Sequence, residues 1–495
     1  MKLLIWIALT TTCSSAATYV GNASCRPCHT KIYESYSVTP MARSSGRVIA
    51  TFPGRFRHAA SGVDYHIDAR GAVRFGDAEK QLDWFIGSGA AGRSFIYSQD
   101  GFLYQAPITF YSQKGAWDVS PGYENDTSTR WNRPIESNCF FCHASQARPI
   151  FGTQNRFSSP PFAQDGVGCE RCHGPGSDHI AGNGRMVNPA KLDPQRRDSV
   201  CAQCHLSGEA RINKAGRSIA MFRPGELLSD FVTYFVFESA NVTGVKATGY
   251  VEKLYSSRCK IASGDKLWCG TCHETHRARD PSAVVAYYRE KCLSCHQVAD
   301  CQRGLDCRGC HMPRTRAVDG GHGVLTDHSL PRKLSAFRSD RPQAWQLVPF
   351  KDFDADARSL GLAYADVNLR TQDKNQQNQA VLLLGRGPRD GEVLARLADL
   401  YSRQGNRTRA YQFYNDAFRA DPNSVVVLVN LGGLEAERGN AARAIELWQS
   451  ALERNPGLVE AATNIETLLN ALGRAKEAEA HLNRARQIER GLAPR

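Results

Sequence analysis

Seven copies of one pentapeptide, Cys-x-x-Cys-His, carry the chemistry of this chain. They are Cys25/Cys28/His29, Cys139/Cys142/His143, Cys169/Cys172/His173, Cys201/Cys204/His205, Cys269/Cys272/His273, Cys292/Cys295/His296 and Cys307/Cys310/His311. Two thiols three residues apart can each add across one vinyl group of a haem, and the adjacent imidazole then meets the iron from one face. A zinc ribbon needs paired knuckles and no obligatory following His. A thioredoxin-like site is a single Cys-x-x-Cys in an α/β unit, and a disulfide framework does not place His after every second Cys. The pattern therefore predicts seven covalent haem c groups, with His29, His143, His173, His205, His273, His296 and His311 as proximal iron ligands.

Each iron then needs a group opposite its motif His, and that group sets its role. His makes a low-potential carrier, Met raises the potential, and an open site lets a small molecule bind. Seven His lie outside the motifs: His58, His66, His179, His276, His322, His328 and His481. His481 falls in the C-terminal part, so six candidates face seven irons. His179 in CERCHGPGSDH and His276 in CGTCHETH follow attachment sites closely, and a neighbouring haem is the expected target of each. His322 and His328 sit in polar, Gly-containing loops after the last motif. His58 lies in FRHAASG, and His66 lies in an alternating strand pattern that equally suits a surface residue. The His shortage leaves one place for a different ligand, and Met41, 12 residues past His29, is the candidate. Core filling is the plain alternative for a Met. Met312 directly follows His311 and reads as structural.

The chain opens with MKLLIWIALTTTCSSAA, one Lys, a short apolar run and small residues. That is a secretory signal ending near Ala17, too short to span a bilayer. The expected location is exported: periplasmic, outer-membrane associated or extracellular, with no transmembrane segment after cleavage. Cys259 and Cys301 remain outside the motifs, and they read equally as a disulfide or as two separate thiols. The net charge is +13, but residues 1–340 hold 41 Lys+Arg against 30 Asp+Glu, while residues 341–495 hold 21 against 19. The excess travels with the motifs, where Arg and Lys would pair with haem propionates. A nucleic-acid partner is not expected.

Two kinds of element must position these groups. Six motifs crowd into Cys139–His311, too little chain for a conventional apolar core, so the haems are expected to be the core. Between His29 and Cys139 lie alternating segments, Val63–Ile67, Ala72–Phe75, Phe95–Tyr97 and Phe102–Tyr104, the last two around the hairpin signal Asp100-Gly101. They predict a small antiparallel insert at about 48–125. Beyond a linker at 336–354, residues repeat at 34-residue spacing: Gly405/Gly439/Gly473, Ala410/Ala444/Ala478, Ala417/Ala451/Ala485, Leu397/Leu431/Ile465 and Pro388/Pro422/Pro456. That period is the tetratricopeptide signature, antiparallel helix pairs with small residues at the crossings. It predicts a solenoid at 355–492 with a degenerate first repeat. The expected fold class is mainly α: a haem-cored cytochrome domain at 18–335 with a small antiparallel β insert, then the helical solenoid. With no Cys and near charge balance, the solenoid is expected to be separable, so a chain ending near Asp340 should still take up its haems.

The stretches YVGNASCRPCHTKIYESYSVTPMARS, CERCHGPGSDH, CGTCHETH and CRGCHMPR…TDHSLPR resemble exported multihaem c-type cytochromes with doubled CxxCH motifs. These are related to the tetrahaem cytochromes of ammonia oxidisers and, more distantly, to multihaem nitrite reductases and hydroxylamine oxidoreductases. The resemblance covers about residues 19–331. It implies distal-ligand roles for His179, His276 and His328. At the position of Met41 the family commonly has a distal His, so Met41 is both a supported ligand and a departure. The nitrite reductases of the group use a CxxCK site, and none occurs here. The tail resembles tetratricopeptide proteins, which bind partner proteins.

The favoured expectation is electron relay between redox partner proteins, docked through the repeats. The alternative is an oxidoreductase acting on a small nitrogen or sulfur compound at one five-coordinate haem, with Arg93, Tyr97 or Tyr104 lining its pocket. A third is a mainly scaffolding role for the repeats.

Overall fold

The structure, a computed structural model, describes residues 17–128, 130–238, 244–297, 306–332 and 346–490. The leader up to residue 16, Cys301 with any pairing to Cys259, and residues 333–345, which take in the first part of the expected linker at 336–354, lie outside them.

The stretch after the first motif folds as two antiparallel sheets. A four-stranded meander runs Gly54–Arg57, Asp64–Ile67, Ala72–Phe75, Ala78–Gln81. A six-stranded sheet is ordered Ser45–Arg47, Trp84–Ile86, Arg93–Gln99, Phe102–Tyr111, Arg133–Pro134, with Ala116–Val119 also paired to Phe102–Tyr111. Asp100 and Gly101 both have positive φ, 55° and 81°, and close the central hairpin in register Gln99↔Phe102. That is the double left-handed turn that suits the right-handed twist of two strands. Tyr65, Val73, Phe95, Tyr97, Tyr104, Ile108 and Trp131 form one buried aromatic cluster between the sheets.

The motif-bearing segment is built differently. Its helices are short, from the four-residue Cys269–Cys272 to the twelve-residue Pro194–His205. No residue between 261 and 297 is buried, although this stretch carries two motifs and the ten-residue helix Val284–Leu293. Side chains alone give residues 261–297 no core, whereas around the second and fourth motifs Phe141, Ala202, Leu206, Phe222 and Tyr234 form a buried cluster, so the expectation of a core made only of haems is corrected there.

The C-terminal part has four helix pairs, from Ala357–Thr371 with Lys374–Arg386 to Val459–Ala471 with Ala475–Glu489. Gly405, Gly439 and Gly473 each take positive φ at the turn within a pair. Ala410, Ala444, Ala417 and Ala451 are fully buried where helices cross. A Cβ on Gly432 would sit 2.6 Å from the Trp448 indole, so the small residue there is obligatory.

Both ends of this solenoid are embedded in the rest of the chain. At one end the helix Ala357–Thr371 packs on the sheet Ala210–Asn213, Val232–Phe237, Leu347–Pro349, in a core shared by Ile212, Phe235, Leu347, Leu362 and Val367. Buried Arg358 ties that joint, donating to the Asn213 carbonyl at 2.8 Å, Asp390 at 2.5 Å and Glu392 at 2.8 Å. At the other end Ile488, fully buried, belongs to the aromatic core of the β sheets. Trp131 N donates to Glu489 O (2.8 Å), Tyr104 Oη to Asn455 Oδ1 (3.2 Å) and Asn132 Nδ2 to Gly457 O (2.9 Å). The solenoid is thus packed against the rest of the chain at both ends, which the expectation of a separable tail did not include. Charge balance and absence of Cys say nothing about apolar contacts made after folding, and Ile488 alone brings about 1.5–3 kcal/mol of burial to the β core.

Candidate haem-binding centre

Each motif is one turn of helix. His29, His173, His273 and His296 donate their backbone N–H to the carbonyl of the first motif Cys, four residues back, at 2.9–3.0 Å. A turn of this pitch puts residues i, i+3 and i+4 on one side, so both thiols and the imidazole face one space. All described motif cysteines are free of disulfides, and most are half-buried.

Cys28, Cys295 and Cys310 depart from that pattern. Each is the second thiol of its motif, and each is exposed. The helices Asn22–Cys25, Val284–Leu293 and Cys307–His311, which carry the first, sixth and seventh motifs, contain no buried residue, so little protein stands over them. Their assignment as attachment thiols rests on the Cys-x-x-Cys-His spacing, and an exposed thiol is open to a vinyl group from the solvent side.

Three motif imidazoles face a second imidazole. His29 and His179 have ring centroids 6.3 Å apart, His173 and His276 5.8 Å, and His273 and His328 6.1 Å. Two imidazoles bonded at about 2 Å to opposite sides of one metal place their centroids about 6 Å apart. None of these second residues belongs to the motif it faces. The other ring nitrogens are held. Nδ1 of His173 donates to Val187 O (2.7 Å), that of His179 to Gly184 O (3.2 Å), that of His311 to Pro331 O (3.0 Å) and that of His328 to Thr326 O (3.0 Å). A carbonyl only accepts, so these rings carry their proton on Nδ1 and keep the Nε2 lone pair for a metal. Burial also favours the neutral, ligating form. It depresses His143, His205, His276 and His328, and with His328, His205 and Arg279 it lowers His273 to about 4.

The remaining candidates are placed otherwise. His58 is buried with both nitrogens engaged, Nδ1 with Ser61 Oγ (2.8 Å) and Nε2 with Glu124 O (3.2 Å). His322 directs Nε2 to Asp118 Oδ2 at 2.6 Å, against the edge of Tyr111. His66 is exposed on its strand between Arg55 and Arg74. None of the three faces a motif imidazole, because the β register and these hydrogen bonds decide their direction. Met41 sits in a turn whose Ser44 hydroxyl donates to the His143 carbonyl at 2.8 Å and whose own carbonyl accepts from Val167 N, next to the third motif. Tyr97 and Tyr104 line no pocket: they are core residues whose hydroxyls hold Trp131 O, Ile488 O and Asn455.

The motifs are stitched together by residues that sequence reading passed over. Glu170, inside the third motif and 5% exposed, accepts from Val20 N, Gly21 N and Gly176 N at 2.8–2.9 Å. Asn22 Oδ1 accepts from Cys169 N. These bonds fix the segment before the first motif onto the third. Arg171 Nη2 donates to Phe141 O of the second motif, and Gln203 Nε2 of the fourth donates to Arg171 O. The available signal was the polar residue in the variable x-x positions of CERCH and CAQCH. Motif thiols also interact in pairs from different motifs: Cys25 with Cys169, Cys142 with Cys204, Cys201 with Cys269, and Cys292 with Cys307.

The residues fit the cofactor that the motifs imply. Paired imidazoles stand at a metal-bridging distance, thiol pairs lie beside them, and the coreless stretch 261–297 needs something to pack on. Around the second and fourth motifs, Arg171 Nε, Gln203 Oε1, His205 Nδ1 and Tyr234 Oη are buried without a hydrogen-bond partner. Four such atoms in one place call for a polar group.

Comparisons with known proteins point the same way. Residues 260–300 match the doubled CXXCH motif family and residues 118–174 match the cytochrome c554 and c-prime family. The multiheme cytochrome MtrA of Shewanella baltica is 25% identical over 277 residues, covering 49% of this chain and 67% of that protein. Among solved structures, the chain is similar to MamA (19% identity, 27% of this chain and 75% of that one, TM-score 0.23) and to YrrB, a TPR protein (17%, 26% and 68%, TM-score 0.23). Among the described residues, no helix is long and apolar enough to cross a membrane.

Proposed function

We propose that this chain, a multihaem c-type cytochrome carrying a tetratricopeptide region, is an exported electron relay with seven covalent haems that passes charge between redox partner proteins. When bound, each haem supplies a one-electron iron couple. The protein supplies the attachment thiols, exposed Cys28, Cys295 and Cys310 included, the imidazoles and the order in which the sites meet. The three imidazole pairs, at 5.8–6.3 Å, carry the reading, because two protein ligands per iron close it to substrate. The thiol contacts support a connected array out of sequence order: first with third, fourth with second and fifth, sixth with seventh. Export rests on the leader pattern and on covalent haem attachment. Of the remaining candidates, Met41 is the ligand we assign to the second motif, from its turn against His143.

A second reading has its own observation. With His58, His66 and His322 directed elsewhere, neither His205 nor His311 faces a partner imidazole among the described residues, and Tyr250 lies 5.7 Å from His205 instead. An open iron there would suit an oxidoreductase acting on a small nitrogen or sulfur compound. Electron paramagnetic resonance of the oxidised holoprotein separates the two. Relay is expected to give low-spin signals unchanged by nitrite, hydroxylamine or sulfite. A stoichiometric high-spin haem that binds one of these and turns it over would establish the enzyme.

A further inference from the structure

His328 reaches the fifth motif from the end of a hairpin too small to hold itself. The strands Arg314–Arg316 and Val324–Thr326 have three residues each, and an isolated two-stranded hairpin is marginal in water. Its second strand nevertheless aims His328, whose Nδ1 donates to Thr326 O (3.0 Å) while the ring faces His273. The β insert supplies the missing support, at that strand and at the loop leading into it. Gln113, in the exposed turn after Phe102–Tyr111, donates from Nε2 to Val324 O (3.0 Å) and accepts at Oε1 from Val324 N (2.9 Å). One side-chain amide thus takes the place of a third strand. His322 Nε2 donates to Asp118 Oδ2 at 2.6 Å, between residues 204 positions apart, with the ring edge-on to Tyr111. Gly321 has φ 57°, and a Cβ there would sit 2.6 Å from Tyr111 Oη, so the loop lies directly on that strand. Elsewhere on the loop, Val318 N donates to Val245 O (3.0 Å) and Asp319 Oδ1 accepts from Ala247 N (2.7 Å), so losing one insert contact loosens the loop without releasing it.

We propose that Gln113 and the Asp118–His322 pair are positioning residues for His328: they latch the hairpin to the β insert and keep the distal side of the fifth haem closed, which rests on the reading that His328 is a ligand of that haem. A ligand on a short arm opens by a local equilibrium, and each bond that holds the arm multiplies the closed population. Bonds to a charged group contribute most. The insert is then part of the relay rather than a cover beside it. His322 acts on iron through His328 and not as a ligand itself.

The experiment follows cyanide binding to the oxidised, mature holoprotein, because cyanide enters a six-coordinate haem only when its protein ligand leaves. His328→Ala first identifies the fifth haem by the high-spin signal it creates and the cyanide complex it gains. The haems closed by His179 and His276 are assigned in the same way. In Asp118→Ala and in Gln113→Ala, cyanide should bind the fifth haem roughly tenfold faster than in wild type, as expected for the bonds removed. The double variant should be faster than either. Asp118→Asn keeps an acceptor for His322 and should stay close to wild type, and Lys114→Ala, in the same turn as Gln113, should match it. Rates at the other two haems should not move. Equal acceleration at all three would show general loosening and overturn the latch, as would wild-type rates in both Asp118→Ala and Gln113→Ala. If Asp118→Ala does not mature, Gln113→Ala decides by the same criteria, since its side chain is exposed. A His328→Ala protein with no opened haem would sink the ligand reading itself, whereas an opened haem with unmoved latch variants sinks only the latch.

Discussion

The solenoid and the motif-bearing segment are both helical, yet they are held by different things. In the solenoid, each helix pair buries a repeated set of side chains, Leu397, Ala410 and Ala417, then Leu431, Ala444 and Ala451, against its neighbours. Its stability is a sum of local interfaces. Between 261 and 297 nothing is buried, and what order there is comes from helical turns and from a few polar contacts, such as Arg197 Nη2 to Asp265 O and Tyr288 Oη to His273 Nδ1. A helix in a protein draws most of its stability from a packed face, so this stretch depends on the cofactors its thiols and imidazoles would bind. The two regions meet through the β sheets, whose core the last solenoid helix completes with Ile488.

The largest expected effect tests whether these regions are independent. A chain ending at residue 345 loses Leu347, Ile488 and the partners of Phe235 and Phe237. Its yield of soluble, fully haem-loaded protein should fall at least several-fold, as read by haem content per polypeptide. Equal loading would show that the solenoid is dispensable after all. Next, His179→Ala, His276→Ala and His328→Ala should each convert one haem to high spin in the resonance spectrum. His58→Ala should leave that spectrum unchanged while losing about 1–3 kcal/mol, because it orphans buried partners. A high-spin haem in His58→Ala would redraw the ligand set.

At the joint itself, Ile488→Ala should cost about 2–4 kcal/mol in urea unfolding, with haem potentials unmoved. A shift in potentials would mean that the solenoid also shapes the haem array. The smallest effect concerns Lys80, buried with Nζ on Gln99 Oε1 and over the Tyr97 ring, whose pKa burial lowers to about 8. The unfolded chain binds the proton more readily between about pH 8 and its ordinary value of 10.5, so stability should rise with pH across that window. Lys80→Met should therefore be more stable than the parent at pH 7, by on the order of 1–2 kcal/mol, with the difference vanishing by pH 10.5. A pH-independent difference would place the effect in packing.

Attachment chemistry and repeat architecture were legible because each is local. A Cys-x-x-Cys-His turn is complete within five residues, and a 34-residue period is visible without knowing what it packs on. The Asp100-Gly101 hairpin was legible for the same reason, since two left-handed residues specify their own turn. How far each motif is covered was not legible. Cys28, Cys295 and Cys310 share their spacing with Cys172 and Cys204, yet the first three are exposed and the other two half-buried, because cover comes from distant chain. Distal partners were hidden too. His58 and His179 look alike in sequence, each a polar loop His with a local partner on Nδ1, and they differ in that the distant Glu124 carbonyl also engages Nε2 of His58. His58 gives up both nitrogens to Ser61 and Glu124, while His179 gives only Nδ1 to Gly184 and faces His29 across the fold.

By itself, the sequence determined the number of Cys-x-x-Cys-His motifs, the His that closes each one and the helical repeat, because motif spacing and helix pitch act over a few residues. Tertiary structure alone decided which motifs are neighbours, which imidazoles oppose one another, and that the solenoid is fastened at both ends. Those depend on contacts between residues more than a hundred positions apart, such as Glu170 with Val20 and Ile488 with the β core, and no local pattern encodes them.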